Sequence, residues 1–120
     1  MIRRMLRAKI HRAHVTGADL NYEGSITIDR TLMEAADILP NERVLILNVS
    51  NGSRSETYAI PGERDSGSIV MNGAIARMVQ VGDFIIVLSF VDVDEKEAER
   101  LKPNVVLVDE KNRIIQVKTS

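Results

Sequence analysis

Cysteine is absent from the 120 residues. That removes disulfides, thiol nucleophiles and thiolate-bound metals, and it suits a reducing compartment. Tryptophan is absent too and aromatics reach only 3%, so the core must be built from Val, Ile, Leu, Ala and Met. The two histidines, His11 and His14, are too few for most zinc sites. No apolar run approaches the roughly 20 residues of a membrane span. The basic N-terminal stretch is not followed by the apolar run of a signal peptide. An excess of either charge is also missing: 16 Lys plus Arg face 17 acids, for a net charge of −1. That balance argues against a general nucleic-acid binder. The expectation is a soluble, cytoplasmic, metal-free domain that engages neither nucleic acid nor membrane.

What is present is a series of short strands within a length that fits one domain. The pattern predicts strands over Met5–Val15, ending at a Thr16-Gly17 turn, and over Ser25–Ile28, Arg43–Asn48, Glu56–Ile60, Gly67–Met71 and Asp83–Val91. Asn51-Gly52 is a strong hairpin signal between two of them. Val105–Val108 and Arg113–Val117 read as a terminal hairpin around Glu110 to Asn112. Helices are few. Thr31-Leu-Met-Glu34 reads as a capping box that opens a short helix before Pro40. Asn72–Val79 reads as one or two helical turns, and Asp94–Leu101 as a charged, exposed helix. Arg3, Arg4, Arg7, Lys9 and Arg12 read as a solvated strand face. Together these suggest a small barrel or sandwich.

Between two predicted strands lies Tyr22-Glu23-Gly24-Ser25. Glycine reaches conformations closed to other residues, and its bare carbonyl is open to attack by the Ser25 hydroxyl. Such an attack shifts the acyl group from nitrogen to oxygen. Elimination across the Ser25 Cα–Cβ bond, then hydrolysis, leaves a pyruvoyl group and ammonia. A Gly-Ser pair alone is a weak signal, for Gly52-Ser53 and Gly67-Ser68 read simply as turns. What matters is the surrounding pattern. It runs through Lys9-Ile-His11-Arg, Val15-Thr, Ala18-Asp-Leu-Asn-Tyr22-Glu-Gly24-Ser25, Ile28-Asp29 and Asn51-Gly52. It continues with Arg54, Thr57-Tyr58-Ala-Ile60, Gly62-Glu-Arg64, Gly67, Asn72-Gly73-Ala74 and Gly82-Asp83. In these residues and their spacing, over about the first 105 positions, the chain closely resembles the pyruvoyl-dependent aspartate decarboxylase proenzymes.

That resemblance implies a mainly β fold, a small six-stranded double-psi β-barrel with a few short helices, assembled as a homotetramer. It implies self-cleavage into a β chain, residues 1–24, and an α chain, residues 25–120. The cofactor would be a covalent pyruvoyl group derived from Ser25, with neither metal nor pyridoxal phosphate. This carbonyl would form a Schiff base with L-aspartate and accept the electrons released with CO2, giving β-alanine for pantothenate and coenzyme A. The resemblance accommodates both spontaneous cleavage and cleavage helped by a maturation factor.

The implied roles fit the chemistry of the residue types. Arg54 can hold a carboxylate through a bidentate fork, and Lys9 can pair with a carboxylate. Tyr58 carries a phenol that can donate a proton to carbon after decarboxylation. Thr57 can hydrogen-bond the Gly24 carbonyl before cleavage and the substrate afterwards. Gly73, Ala74 and Ile75 offer backbone N–H groups, and Asn72 can orient the intermediate, although helix N-capping is its plainer use. Ile75 stands where the family usually has alanine and could narrow the pocket. Tyr22 and His11 fit supporting roles, and His14 fits packing or exposure. The tail after about Pro103 is poorly constrained, either packed between subunits or mobile. Two rivals stay open: a non-catalytic barrel that binds through its basic strand, and a pyruvoyl decarboxylase for another acidic amino acid. A serine hydrolase lacks both Gly-x-Ser-x-Gly and a carboxylate partner for a histidine base.

Overall fold

A computed structural model describes residues 1–119. Its strands are β1 (Ile2–His14), β2 (Gly17–Asp19), β3 (Ser25–Asp29), β4 (Arg43–Asn48), β5 (Arg54–Gly62), β6 (Ile69–Asn72), β7 (Phe84–Asp94), β8 (Asn104–Val108) and β9 (Ile114–Thr119). Two short α-helices, α1 (Arg30–Ala36) and α2 (Glu95–Arg100), and a 3₁₀ helix at Gly73–Met78 complete it. The strands hydrogen-bond in the order β2-β6-β3-β5-β4-β7-β1-β8-β9.

That order closes on itself through the chain. β1 and β2 are one run interrupted at Val15-Thr16, where the backbone passes from Asp83 to Ile69 as hydrogen-bond partner. β1 pairs with β7 at one side of the series, and β2 pairs with β6 at the other. Counting β1 and β2 as one strand leaves six around the ring, with β8 and β9 outside it: the expected six-stranded barrel. The predicted Thr16-Gly17 turn is therefore a strand continuation. Closure decides this, because the chain must cross from one neighbour to the other to leave no free edge.

Alternation along the strands fills the barrel. Ile26 and Ile28 of β3, Val44 and Ile46 of β4, Ile85 and Val87 of β7 are all at most 1% exposed. Each such side chain contributes about 1.5–3 kcal/mol by leaving water. The Asn51-Gly52 hairpin forms as expected, with Gly52 at φ +78° and its N–H donating to the Asn48 carbonyl.

The capping box does not form. Asp29, one residue before α1, accepts from the Thr31 N–H at 2.8 Å and caps the helix instead. Its carboxylate also takes the Asp65 and Gly67 N–H groups, so it ties two loops to the cap. Glu34 is drawn away to Arg64.

The basic N-terminal run is largely paired. Arg3 meets Glu95, Arg4 meets Asp92, and Arg7 reaches Glu42 and Asp37. Burial alone would raise the Glu42 carboxyl. Hydrogen bonds from Ser89, the Leu39 N–H and Arg7, with the charge of Arg7, outweigh it and hold the group below the usual carboxylate range. Its contribution to stability is therefore present above the ordinary glutamate value and fades as pH falls through the lowered one. Glu42→Gln is expected to cost about 1–2 kcal/mol at neutral pH, toward the low end because the pair still meets water. Denaturant midpoints at pH 7 should show that gap, and it should shrink below about pH 4. A gap unchanged in acid would remove the Glu42 charge as its cause.

The tail forms two strands on its own barrel. β8 runs parallel to β1, and β9 pairs antiparallel with β8. Asn112, 2% exposed, fastens the hairpin: its amide accepts from the His14 N–H and donates to the carbonyls of His14 and Gly67. No helix among the described residues is long and apolar enough to cross a membrane.

Candidate functional site

Ser25 opens β3 and is 1% exposed, whereas Gly24 before it is exposed. β3 lies between β6 and β5, and the register sets its neighbours. Ser25 pairs with Asn72 on the antiparallel side. On the parallel side Ile26 pairs with Ala59, so continuing the register by one residue sets Ser25 level with Tyr58. Ile26 and Ala59 point into the core. Ser25 and Tyr58, one residue back on their strands, share the opposite face. Asn72, Ser25 and Tyr58 thus form a row across three strands spaced about 4.8 Å apart.

Hydrogen bonds bind half of that row together. The Asn72 amide donates to the Ser25 hydroxyl at 3.0 Å and to the Thr27 hydroxyl at 3.0 Å. Ser25 Oγ also lies 3.5 Å from the Glu23 carbonyl, at the limit for a bond. Asn72 makes no side-chain cap on the 3₁₀ helix that follows it, because its amide is committed to β3. The N-cap reading of Asn72 is therefore replaced.

The unusual backbone sits at Gly73 rather than Gly24. Gly73 has φ +74°, and a Cβ there would lie 2.8 Å from Gly24 Cα, 2.9 Å from Gly24 N and 3.1 Å from the Tyr22 carbonyl. Gly24 itself has no left-handed φ and open space around it. Gly73 is thus the floor on which the Tyr22–Gly24 segment rests. Gly73→Ala adds both a forbidden φ and a backbone collision, a strain of about 1–3 kcal/mol. Cleavage at Gly24-Ser25, followed by intact mass, is expected to slow about tenfold in this variant, and an unchanged rate would refute the floor.

The other candidates are spread out. On β5, Arg54 and Tyr58 lie opposite Leu47 and Arg43, on the outer face. Thr57 lies opposite the buried Val44 and faces inward. Thr57 makes no side-chain hydrogen bond among the described residues. Tyr58 is 38% exposed. Arg54 precedes Tyr58 by four residues, roughly 13 Å along the strand. Lys9 also faces outward, opposite Leu88, but on β1. Since β7 and β4 separate β1 from β5, Lys9 is about three strand spacings, roughly 14 Å, from the β5 residues of its own chain. Ala74 is exposed, while Ile75 is 8% exposed and packs into the hydrophobic core. Its larger side chain therefore fills the core rather than narrowing a pocket.

Tyr22, two residues before Gly24, is 53% exposed. His11 has a buried, unpartnered Nδ1. Burial foremost, then the charges of Lys9, Arg12 and Lys118, push it below the ordinary histidine range. The His14 ring packs on Phe84 with centroids 4.3 Å apart, the packing expected of it. Sequence reasoning missed Thr27. Its signal was spacing: two residues after Ser25 on a strand, it shares the Ser25 face.

A family model described as aspartate decarboxylase matches residues 1–115. An aspartate 1-decarboxylase of Thermoanaerobacter pseudethanolicus is 58% identical over 117 residues, covering 98% of this chain and all of the relative. One from Clostridium beijerinckii is 56% identical over 117 residues, 98% of this chain and 94% of the relative. One from Carboxydothermus hydrogenoformans is 54% identical over 114 residues, 95% and 90% of the two chains.

Proposed function

Because this chain belongs to the aspartate decarboxylase family, we propose that it is a self-cleaving lyase that converts L-aspartate to β-alanine and CO2. The observation that carries the reading is the buried Ser25 hydroxyl, held by the Asn72 amide directly after an exposed Gly24. These residues fit a pyruvoyl group made in place: a hydroxyl beside the bond to be cut, a donor on its oxygen and room at the carbonyl. When formed, the group supplies a carbonyl that takes the substrate amine and accepts the electrons released with CO2.

The chain's own residues carry the cleavage. Ser25 Oγ attacks the Gly24 carbonyl carbon. The bond from that carbon to the Ser25 nitrogen breaks, leaving an ester and a free amine. Loss of the Ser25 Cα proton and rupture of the Cβ–Oγ bond then release residues 1–24 with a Gly24 carboxylate. Water replaces the nitrogen at residue 25, and ammonia departs. The Asn72 N–H is already on Oγ and stays with that oxygen as negative charge develops there, so it stabilises the leaving group without reorganising. Gly73 holds Gly24 over the hydroxyl. Thr57 donates to the Gly24 carbonyl once the loop tightens.

For decarboxylation, Tyr58 is level with residue 25 and delivers a proton to carbon. Arg54 and Lys9 take carboxylates, Arg54 as a fork. The Gly73, Ala74 and Ile75 N–H groups hold the substrate, and Asn72 orients it. Outward Lys9, Arg54 and Tyr58 support assembly with further copies, which we take as a homotetramer. A groove of about 600 Å³ on the same outer face, lined by Arg4, Leu45, Leu88 and Phe90, supports it as well. The reading places the enzyme in the cytoplasm, supplying β-alanine for pantothenate and coenzyme A.

The denatured intact mass tests this. Two fragments split after Gly24, the larger lighter by one ammonia, together with β-alanine formed from aspartate, are expected. A chain still whole after prolonged warming with host-cell extract would overturn the reading.

A further inference from the structure

We infer that Thr27 is a positioning residue that holds the Asn72 amide on the Ser25 hydroxyl; the inference rests on the self-cleavage reading above. The Asn72 Nδ2 atom donates at 3.0 Å to Ser25 Oγ and at 3.0 Å to Thr27 Oγ1. An amide nitrogen has two hydrogens, and two hydroxyls two residues apart on one strand face span them. The amide torsion is otherwise broad and soft, so a single contact to Ser25 leaves the plane free to turn. The second contact fixes it.

Thr27 is itself fixed. Its methyl Cγ2 lies 3.0 Å from where a Cβ on Gly62 would stand. β5 passes beside β3 there, with Asp29 opposite Gly62 and Thr27 opposite Ile60. The bare Gly62 admits the methyl, and because χ1 of a β-branched side chain is restricted, seating Cγ2 there keeps Oγ1 at Asn72. The chain of influence runs from Gly62 through Thr27 and Asn72 to Ser25 Oγ, and Thr27 touches none of the atoms that react.

A packing role and a positioning role rank the substitutions in opposite orders. Thr27→Val keeps the shape and strand propensity but has no acceptor. Thr27→Ser keeps the acceptor and loses the methyl. Full-length protein is purified promptly after expression, and the appearance of fragments cut after Gly24 is followed by intact mass. Thr27→Val is expected to slow cleavage about tenfold, the effect of one hydrogen bond, while Thr27→Ser stays within about twofold of wild type. Gly62→Ala displaces the methyl and should slow cleavage similarly; Thr27→Ser added to Gly62→Ala should restore it. That pair carries the same test if Thr27→Val does not fold. Wild-type speed in Thr27→Val with slow cleavage in Thr27→Ser, or a Gly62→Ala defect that Thr27→Ser does not relieve, overturns the inference. An uncut wild-type chain overturns the self-cleavage reading itself and shows before any variant is compared.

Discussion

Ser25→Ala is expected to yield one uncut chain with native secondary structure and no measurable release of CO2 from aspartate. The loss should be at least about 10⁶-fold, the low end of the span between enzymic and uncatalysed rates. The size follows from the chemistry, since the same hydroxyl is both the attacking group and, once acylated, the leaving group whose elimination precedes the carbonyl. Alanine lacks the oxygen for the acyl shift and the leaving group for the elimination. The fold should survive. Ser25 is buried, but among the described residues its Oγ hydrogen-bonds only with the Asn72 amide and, weakly, the Glu23 carbonyl. Thr27 still accepts one Asn72 N–H in the variant. The cost is then about 1 kcal/mol, far from unfolding a domain. Ser53→Ala and Ser68→Ala are natural controls, since both serines also follow glycine. Gly52 and Gly67 are left-handed turn glycines, at φ +78° and +69°, and among the described residues neither serine hydroxyl is held by an amide donor as Ser25 is. Both variants should be cut and active. A cut, active Ser25→Ala protein would end the mechanism, and cleavage at either control site would end the assignment to Gly24-Ser25.

Much of the barrel was legible because alternation is a local signal. β4 falls on the predicted Arg43–Asn48, and the Asn51-Gly52 turn and terminal hairpin fall where turn chemistry puts them. What was misread depends on distant partners. Thr16-Gly17 looks like a turn until Ile69 is known to receive the chain. Thr31 looks like a cap until Asp29 is seen to gather N–H groups from Thr31, Asp65 and Gly67. At the site, Ser25 and Asn72 were legible as residues, but their contact joins positions far apart in sequence, and no spacing encodes it. The same holds for strain. Gly24 carries the bond proposed to be cut, yet the glycine whose bareness the geometry requires is Gly73, pressed against it from another strand end. The Thr27 hydroxyl drew no notice, because its partner Asn72 lies 45 residues away.

Tyr58→Phe separates the two reactions and should leave one intact. Tyr58 is level with Ser25 on the neighbouring strand but makes no hydrogen bond to it among the described residues, and the proposed cleavage draws on Ser25, Asn72 and the Gly73 floor. The variant should therefore split after Gly24 at the wild-type rate and gain its pyruvoyl group in full. The ring is 38% exposed, so phenylalanine keeps the packing and stability should change little. What is lost is the proposed proton donor on the outer face beside residue 25. A positioned general acid contributes about 10²- to 10⁴-fold, and kcat for β-alanine formation should fall within that range. KM should change less, because the carboxylate contacts proposed for Arg54 and Lys9 do not involve the phenol. Fragment masses and the ammonia deficit measured on the same preparation fix the amount of matured site, so kcat can be expressed per pyruvoyl group. Full turnover per group would remove Tyr58 as the donor and pass the role to water or to a residue of a neighbouring copy. Failure to cleave would instead place the phenol in the acyl shift, and it would imply that the loop over Gly24 tightens toward β5 before the bond is cut.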